Sequence, residues 1–170
     1  MEHVVICLLE IAGADQRRIE AIRRRYDPQF GRLPAHVTLL FPTKRDNEAR
    51  ILADARRAAT AQTPFAMRLT SFEAVADPRS DSANLYLIPS QGKDRLVALH
   101  EQLTGAGGEP AYQPHVSVGK FNERTSAVQI ARKLNSTWQP IEGLIRTLQV
   151  LRLNGGWIVP IADYEFSGEV

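Results

Sequence analysis

"PAHVTLLFP" at residues 34–42 and "QPHVSVGKF" at residues 113–121 decide how this chain is read. Each sets a histidine and a hydroxyl two residues apart inside an otherwise apolar run. Side chains at i and i+2 of a strand project from one face. His36 and Thr38 therefore point together, while Val37 and Leu39 point the opposite way, into apolar surroundings. His115 with Ser117, opposed by Val116 and Val118, repeats the geometry. Each histidine follows a proline within two positions. The other two, His3 and His100, have Val5 and Gln102 at the same offset and act as internal controls.

Working outward from these stretches, the apolar pattern predicts a common order on both sides. Val4 to Leu9 is short and β-branched, a strand. Asp15 caps a helix with an inward stripe of Ile19, Ile22 and Tyr26. Pro28, Gly31 and Pro34 mark a loop, and the first histidine strand follows, closed by Pro42. Asp46 begins a second helix, with Ile51, Leu52, Ala55, Ala58 and Ala59 inward, and Phe65 to Val75 is a strand. After the polar loop "ADPRSDS" (76–82) the order restarts. Leu85 to Ile88 is a strand, Lys93 to Leu103 a helix, "GAGGEP" (105–110) a loop and His115 to Phe121 a strand. A helix over 126–134 and a strand over 144–153 come next. Asn154-Gly155 supplies a hairpin signal before a last strand, Trp157 to Ile161.

Each half, about 1–80 and 81–170, thus reads strand–helix–strand–helix–strand, and the two histidine strands hold the same place. The spacing of about eighty residues is longer than a solenoid repeat, so the pattern indicates two duplicated lobes within one domain. Alternating strands and helices also suit a doubly wound parallel sheet. The matched halves, the terminal hairpin and the absence of a glycine-rich phosphate loop after the first strand favour the lobes.

Composition narrows the classes. A chain of 170 residues can bury a substantial core. A net charge of +2 is too small for bulk nucleic-acid binding, although a local basic patch can still act. No apolar run approaches the ~20 residues of a membrane span. "MEHVVICLLE" lacks the positive start and cleavage site of a signal peptide, so a cytoplasmic protein without a membrane partner is expected. Cys7 stands alone, which excludes an intramolecular disulfide and predicts a small buried hydrophobe.

If a pseudo-twofold axis relates the lobes, the two polar faces meet across one cleft. Two imidazoles and two hydroxyls then surround a single small group, the set that phosphodiester cleavage requires. One neutral imidazole takes a proton from the attacking oxygen, and the other, protonated, gives one to the departing oxygen. An ordinary pKa of ~6.5 lets both states coexist near neutrality. Thr38 and Ser117 can donate to the non-bridging phosphate oxygens. Neither stretch carries Asp, Glu or Cys at metal-ligand spacing, so no metal and no cofactor are expected.

The two stretches resemble the signature motifs of the two-histidine phosphoesterase superfamily, which includes RNA 2′,3′-cyclic phosphodiesterase and 2′-5′ RNA ligase proteins. The resemblance implies an α+β, bilobal, pseudo-twofold fold. In it each lobe is an antiparallel sheet with helices on its outer face, and a cleft lies between the lobes. It implies metal-free hydrolysis at a 2′,3′-cyclic phosphate of RNA or a small nucleotide, or the reverse joining as a 2′-5′ ligase. By position, His36 and His115 would be the general acid/base pair, and Thr38 and Ser117 the phosphate binders. A non-catalytic module for RNA ends or nucleotides is the reading from another class.

Secondary candidates surround the motifs. Tyr112 is a cleft-lining aromatic candidate. Phe41 and Phe121 could stack on a base or pack in the core; strict alternation sets Phe41 opposite His36 and Phe121 on the face of His115. Lys120, Arg124, Arg32 and Arg79 are candidate phosphate or backbone contacts. Residues 17–25, "RRIEAIRRR", read as a charged outer helix face with the option of a basic patch. "ADPRSDS" and "GAGGEP" are the obvious loops for shaping a substrate channel, and a monomer is favoured.

Overall fold

A computed structural model describes residues 1–43, 47–105 and 111–168. Among these residues the apolar periodicities resolve into nine strands and four helices. The first half carries β1 (Glu2–Leu8), β2 (Glu10–Ile11), α1 (Gly13–Tyr26), β3 (His36–Thr43), α2 (Glu48–Thr60) and β4 (Phe65–Ala76). The second carries β5 (Ala83–Gln91), α3 (Lys93–Thr104), β6 (Val116–Phe121), α4 (Arg124–Asn135), β7 (Ile141–Ile145), β8 (Thr147–Asn154) and β9 (Trp157–Glu165). The class is α+β, and every strand pairing is antiparallel.

The strands form one sheet in the order β2-β7-β4-β5-β6-β3-β1-β8-β9. Its two lobes join where β3 meets β6, through the pairing of Val37 with Val116. The lobes are not the sequence halves. β4 leaves the first half to pair with β5 and β7, while β8 returns from the second half to pair with β1. Helices cross over too: α1 packs on β6 and α3 on β3.

One face of the sheet carries the main core. Val5, Cys7, Val37, Leu39, Leu148 and Val150 are fully buried beneath the helices, as are Leu85, Leu87, Val116 and Val118 in the other lobe. The opposite face of the first lobe carries a smaller apolar group of Val4, Ile6 and Leu151. Alternation along β1 explains the split, since odd and even residues face opposite sides. Cys7 is buried as expected, and burial pushes its thiol up, out of the reactive range.

Several boundaries differ from the sequence reading for physical reasons. Asp15 does not cap α1; it sits in the first turn and pairs with Arg18 at 2.8 Å. Asn47 caps α2, its side chain accepting from Ala49 N at 2.9 Å, while Asp46 lies outside the described residues, as do residues 106–110. The strand expected over 144–153 is two strands broken at Arg146, because the chain passes there from one lobe to the other. The hairpin turns on Gly155-Gly156, with Asn154 paired to Trp157, rather than on Asn154-Gly155. Both glycines have left-handed φ, +56° and +88°, as a type I′ turn requires.

Candidate active site

The Val37–Val116 pair is the pivot of the site. Both valine side chains are fully buried on the helix-covered face. Their neighbours must therefore project from the other face. The antiparallel register sets Thr38 opposite His115 and Ser117 opposite His36, one residue to either side of the pair. Four polar side chains thus share one sheet face at the junction of the lobes.

Both histidines are tied back in the same way. His36 Nδ1 lies 2.8 Å from the carbonyl of Pro34, and His115 Nδ1 lies 2.7 Å from the carbonyl of Gln113. A carbonyl only accepts, so each Nδ1 carries its proton, and Nε2 of each ring has no hydrogen-bond partner among the described residues. Burial lowers the pKa of each below the ordinary imidazole value, offset in part by the carbonyl that accepts from Nδ1. For His115 the positive charge of His36 lowers it further.

Beyond the motifs the two strands leave strict alternation at matching places. Ile6 pairs with Thr38 but Val5 pairs with Leu40, so Leu39 is an extra residue; Tyr86 pairs with Ser117 but Leu85 with Gly119, so Val118 is one too. A bulge of this kind reverses which face the following residues occupy. The expectation for the two phenylalanines is therefore overturned. Phe41 lines the groove that contains His36 and Thr38. Phe121 turns to the helix side, its ring 5.3 Å from that of Tyr26, and Lys120 takes the face of Ser117.

Tyr112 is partly buried against the helix-side core, with its ring edge-on to Phe41 at 6.4 Å. Its ring stacks on His100 at 4.0 Å, and its hydroxyl donates to the Thr38 carbonyl at 2.7 Å. His100 Nδ1 lies 2.7 Å from the Leu39 carbonyl. The two side chains satisfy carbonyls at the β3 bulge. His3, the other control, is buried and pairs with Glu48 at 2.8 Å. That contact, with hydrogen bonds from Arg152, holds the Glu48 carboxyl below its usual range.

A groove of about 560 Å³ opens beside His36 and Thr38. Val4, Leu33, Phe41, Leu151 and Ile158 give it an apolar floor, and Trp157, 77% exposed, stands at its rim. Its walls are the 27–35 loop and the β8–β9 turn, held together by Arg32 donating to the Gly156 carbonyl and to Gln29. Of the loops expected to shape a channel, "GAGGEP" lies outside the described residues beyond Gly105, and "ADPRSDS" is not among the residues that line this groove. "ADPRSDS" closes on itself through hydrogen bonds among Asp77, Ser80 and Ser82, and Arg79 bonds Asp77 through its backbone. Arg124 lines a separate depression with Asp81 and Glu123. Of the four candidate cations, Arg32 lines the groove and Lys120 shares the face of Ser117.

Three features escaped the sequence reading. Tyr86 of β5 stacks on His115 at 3.7 Å, and its only trace is an aromatic at an alternating position of "NLYLI". Trp157 and the turn before it were read as a hairpin, not as a wall. Arg23, read within a charged outer face, is 1% exposed and bonds Glu20 at 2.8 Å and Asp27 at 2.7 Å. Arg17, Arg24 and Arg25 remain exposed on that helix.

Known proteins share this architecture. A protein of Geobacillus kaustophilus, provisionally named a phosphoesterase, is 29% identical over 104 residues, 58% of each chain. The chain thus spans less than two thirds of that relative's length. Protein TT0787 of Thermus thermophilus superposes over 100% of both chains, with a TM-score of 0.61 and 18% identity. Escherichia coli LigT in complex with 3′-AMP superposes over 98% of this chain and 99% of its own, at 0.59 and 15%. Residues 12–157 match the family model described as the 2′-5′ RNA ligase superfamily, and the chain belongs to that family.

Proposed function

We propose that this protein is a phosphodiesterase that hydrolyses 2′,3′-cyclic phosphates, at RNA ends or in small nucleotides, by paired-histidine acid/base catalysis without a metal. The observation that carries the reading is the matched pair of histidines, each with Nδ1 tied to a backbone carbonyl and Nε2 without a partner among the described residues. The tie sets the tautomer and orientation that an acid/base group needs. With phosphorus over the Val37–Val116 pair, Thr38 and Ser117 donate to non-bridging oxygens. One Nε2 accepts the proton of the attacking water, and the other protonates the departing ribose oxygen in line with it. Each imidazole exchanges its proton with solvent before the next turnover.

The groove beside His36 supports a nucleoside as the organic part of the substrate. Its volume lies in the range of small-molecule sites, and it combines apolar floor with aromatic rings at Phe41 and Trp157. The complex of LigT with 3′-AMP shows that a protein of this fold accepts a nucleoside monophosphate. The deciding experiment is an assay of 2′,3′-cyclic nucleotides, cyclic-ended oligonucleotides and 2′-5′ linked dimers, with EDTA present. Hydrolysis of cyclic ends is expected, and joined products from the same substrates would reveal the reverse reaction. Turnover that EDTA abolishes and a divalent cation restores would overturn the metal-free mechanism. Tight binding without turnover from pH 5 to 9 would overturn the enzyme in favour of a binding module.

A further inference from the structure

The lobes meet along a short line. β3 and β6 share one ladder pair, Val37 with Val116, and beyond it two side chains take over from the sheet. The Tyr112 hydroxyl donates to the Thr38 carbonyl at 2.7 Å, although the two residues are 74 apart in sequence. His100 of α3 gives its Nδ1 proton to the next carbonyl, that of Leu39, at 2.7 Å. The two rings stack face to face, 4.0 Å apart and 12° from parallel. Tyr112 also meets Phe41, which lines the groove, edge-on at 6.4 Å.

Tyr112 is placed to do more than satisfy a carbonyl. It stands one residue before Gln113, whose carbonyl accepts from His115 Nδ1 at 2.7 Å and so fixes that ring. The Gln113 side chain donates to Glu73 of β4 at 3.2 Å, and Pro114 stiffens the backbone that follows. The lead-in to the second motif is thus anchored to the first motif at Tyr112 and to β4 at Gln113. Resting on the phosphodiesterase reading above, we propose that Tyr112 and His100 are positioning residues that hold the two motifs at their working separation. The Tyr112 hydroxyl ties the backbone that orients His115 to the strand that carries Thr38 and Phe41. His100 holds the next carbonyl of that strand and, by stacking, sets the angle of the Tyr112 ring. Both act through the residues they hold rather than on the substrate.

The chemistry explains why such a tie matters at this place. In-line displacement needs both imidazoles aligned with phosphorus at once, and a misplacement of about 1 Å can cost on the order of 100-fold in rate. β3 is held by β1 and β6 by β5, so the relative placement of the two motifs depends on the short junction between them. A hydrogen bond across that junction fixes a distance to which rate is far more sensitive than stability. The walls of the groove come from the 27–35 loop and the β8–β9 turn. The contact with Phe41 needs the Tyr112 ring and not its hydroxyl. Loss of the tie is therefore expected to reduce turnover and to leave substrate affinity in place.

Steady-state kinetics of the full chain on 2′,3′-cyclic AMP and on a cyclic-ended oligonucleotide test the role. Tyr112→Phe keeps the ring against His100 and Phe41 and removes the donor. Its kcat is expected to fall about 10-fold or more, with KM within about 3-fold of wild type. Trp138→Phe is the matched control, since it also removes an aromatic donor from a strand carbonyl, that of Leu69, at a part-buried site against Phe72. Its kcat should stay within about 3-fold of wild type even where its melting temperature drops. His100→Leu should lower kcat as well, and His100→Asn, whose amide can stand where Nδ1 stood, should recover part of that loss. Unchanged kcat in folded Tyr112→Phe, or an equal fall in Trp138→Phe, would overturn the proposal. Should Tyr112→Phe fail to fold by circular dichroism, the His100 variants decide, and equal kcat in the two would overturn it. Absence of wild-type turnover on both substrates would overturn the phosphodiesterase reading and this role with it. Wild-type turnover with no loss in Tyr112→Phe overturns the positioning role alone.

Discussion

A histidine is useful to phosphoryl chemistry when one nitrogen is fixed and the other is free; a carbonyl two residues upstream fixes Nδ1 of both His36 and His115, and Nε2 has no partner among the described residues. Burial lowers both pKa values from ~6.5. A base works above its pKa and an acid below its own, so the plateau between them moves with the pair. The pH profile of kcat/KM is therefore expected to be a bell centred on the acid side of pH 6.5; a maximum above pH 7.5 would contradict the lowered values. At Thr38 the question is the hydroxyl, not the shape. Thr38→Val keeps the β-branched volume and removes the donor, and should reduce kcat/KM roughly 10- to 1000-fold with the fold intact by circular dichroism. Unchanged kinetics would remove Thr38 from the proposed phosphate site.

At the scale of single elements, the bulges in β3 and β6 matter most. They turn Phe41 and Lys120 to the site face and leave backbone carbonyls for side chains to satisfy. Tyr112→Phe would strand the Thr38 carbonyl and should cost about 1–3 kcal/mol, read as a lower denaturant midpoint with an unchanged m-value. Gly119 lies where α1 crosses β6, and a Cβ there would stand 2.9 Å from Tyr26 Cβ and 3.2 Å from the Phe121 ring. Gly119→Ala should destabilise by about 1–3 kcal/mol, because α1 must lift from the sheet. A thermal melt at the wild-type temperature would show that the helix moves without cost. The strand identities were legible from period-two patterning, but the bulges were not. An extra residue leaves no mark in composition; it is decided by how β1 and β5 pair with their neighbours.

For the whole molecule, the decisive fact is that each lobe takes strands from both halves of the sequence. Residues 1–80 alone would leave β1 without β8, and β4 without β5 and β7. The fragment is accordingly expected to be unfolded by amide exchange, and the intact chain to unfold in one transition by near- and far-ultraviolet circular dichroism. Two separated transitions would mean that the lobes fold independently. What the sequence determined by itself was local: the order of helices and strands, the burial of Val37 and Val116, and the pairing of His36 with Thr38 and of His115 with Ser117. These follow from side-chain alternation, which neighbours along the chain set. What only the tertiary structure decided was non-local. It set the exchange of strands between lobes, the groove built by the β8–β9 turn, the Tyr86 ring under His115, and the burial of Arg23. Each of these depends on a partner dozens of residues away, and a sequence pattern carries no record of which distant surfaces will meet.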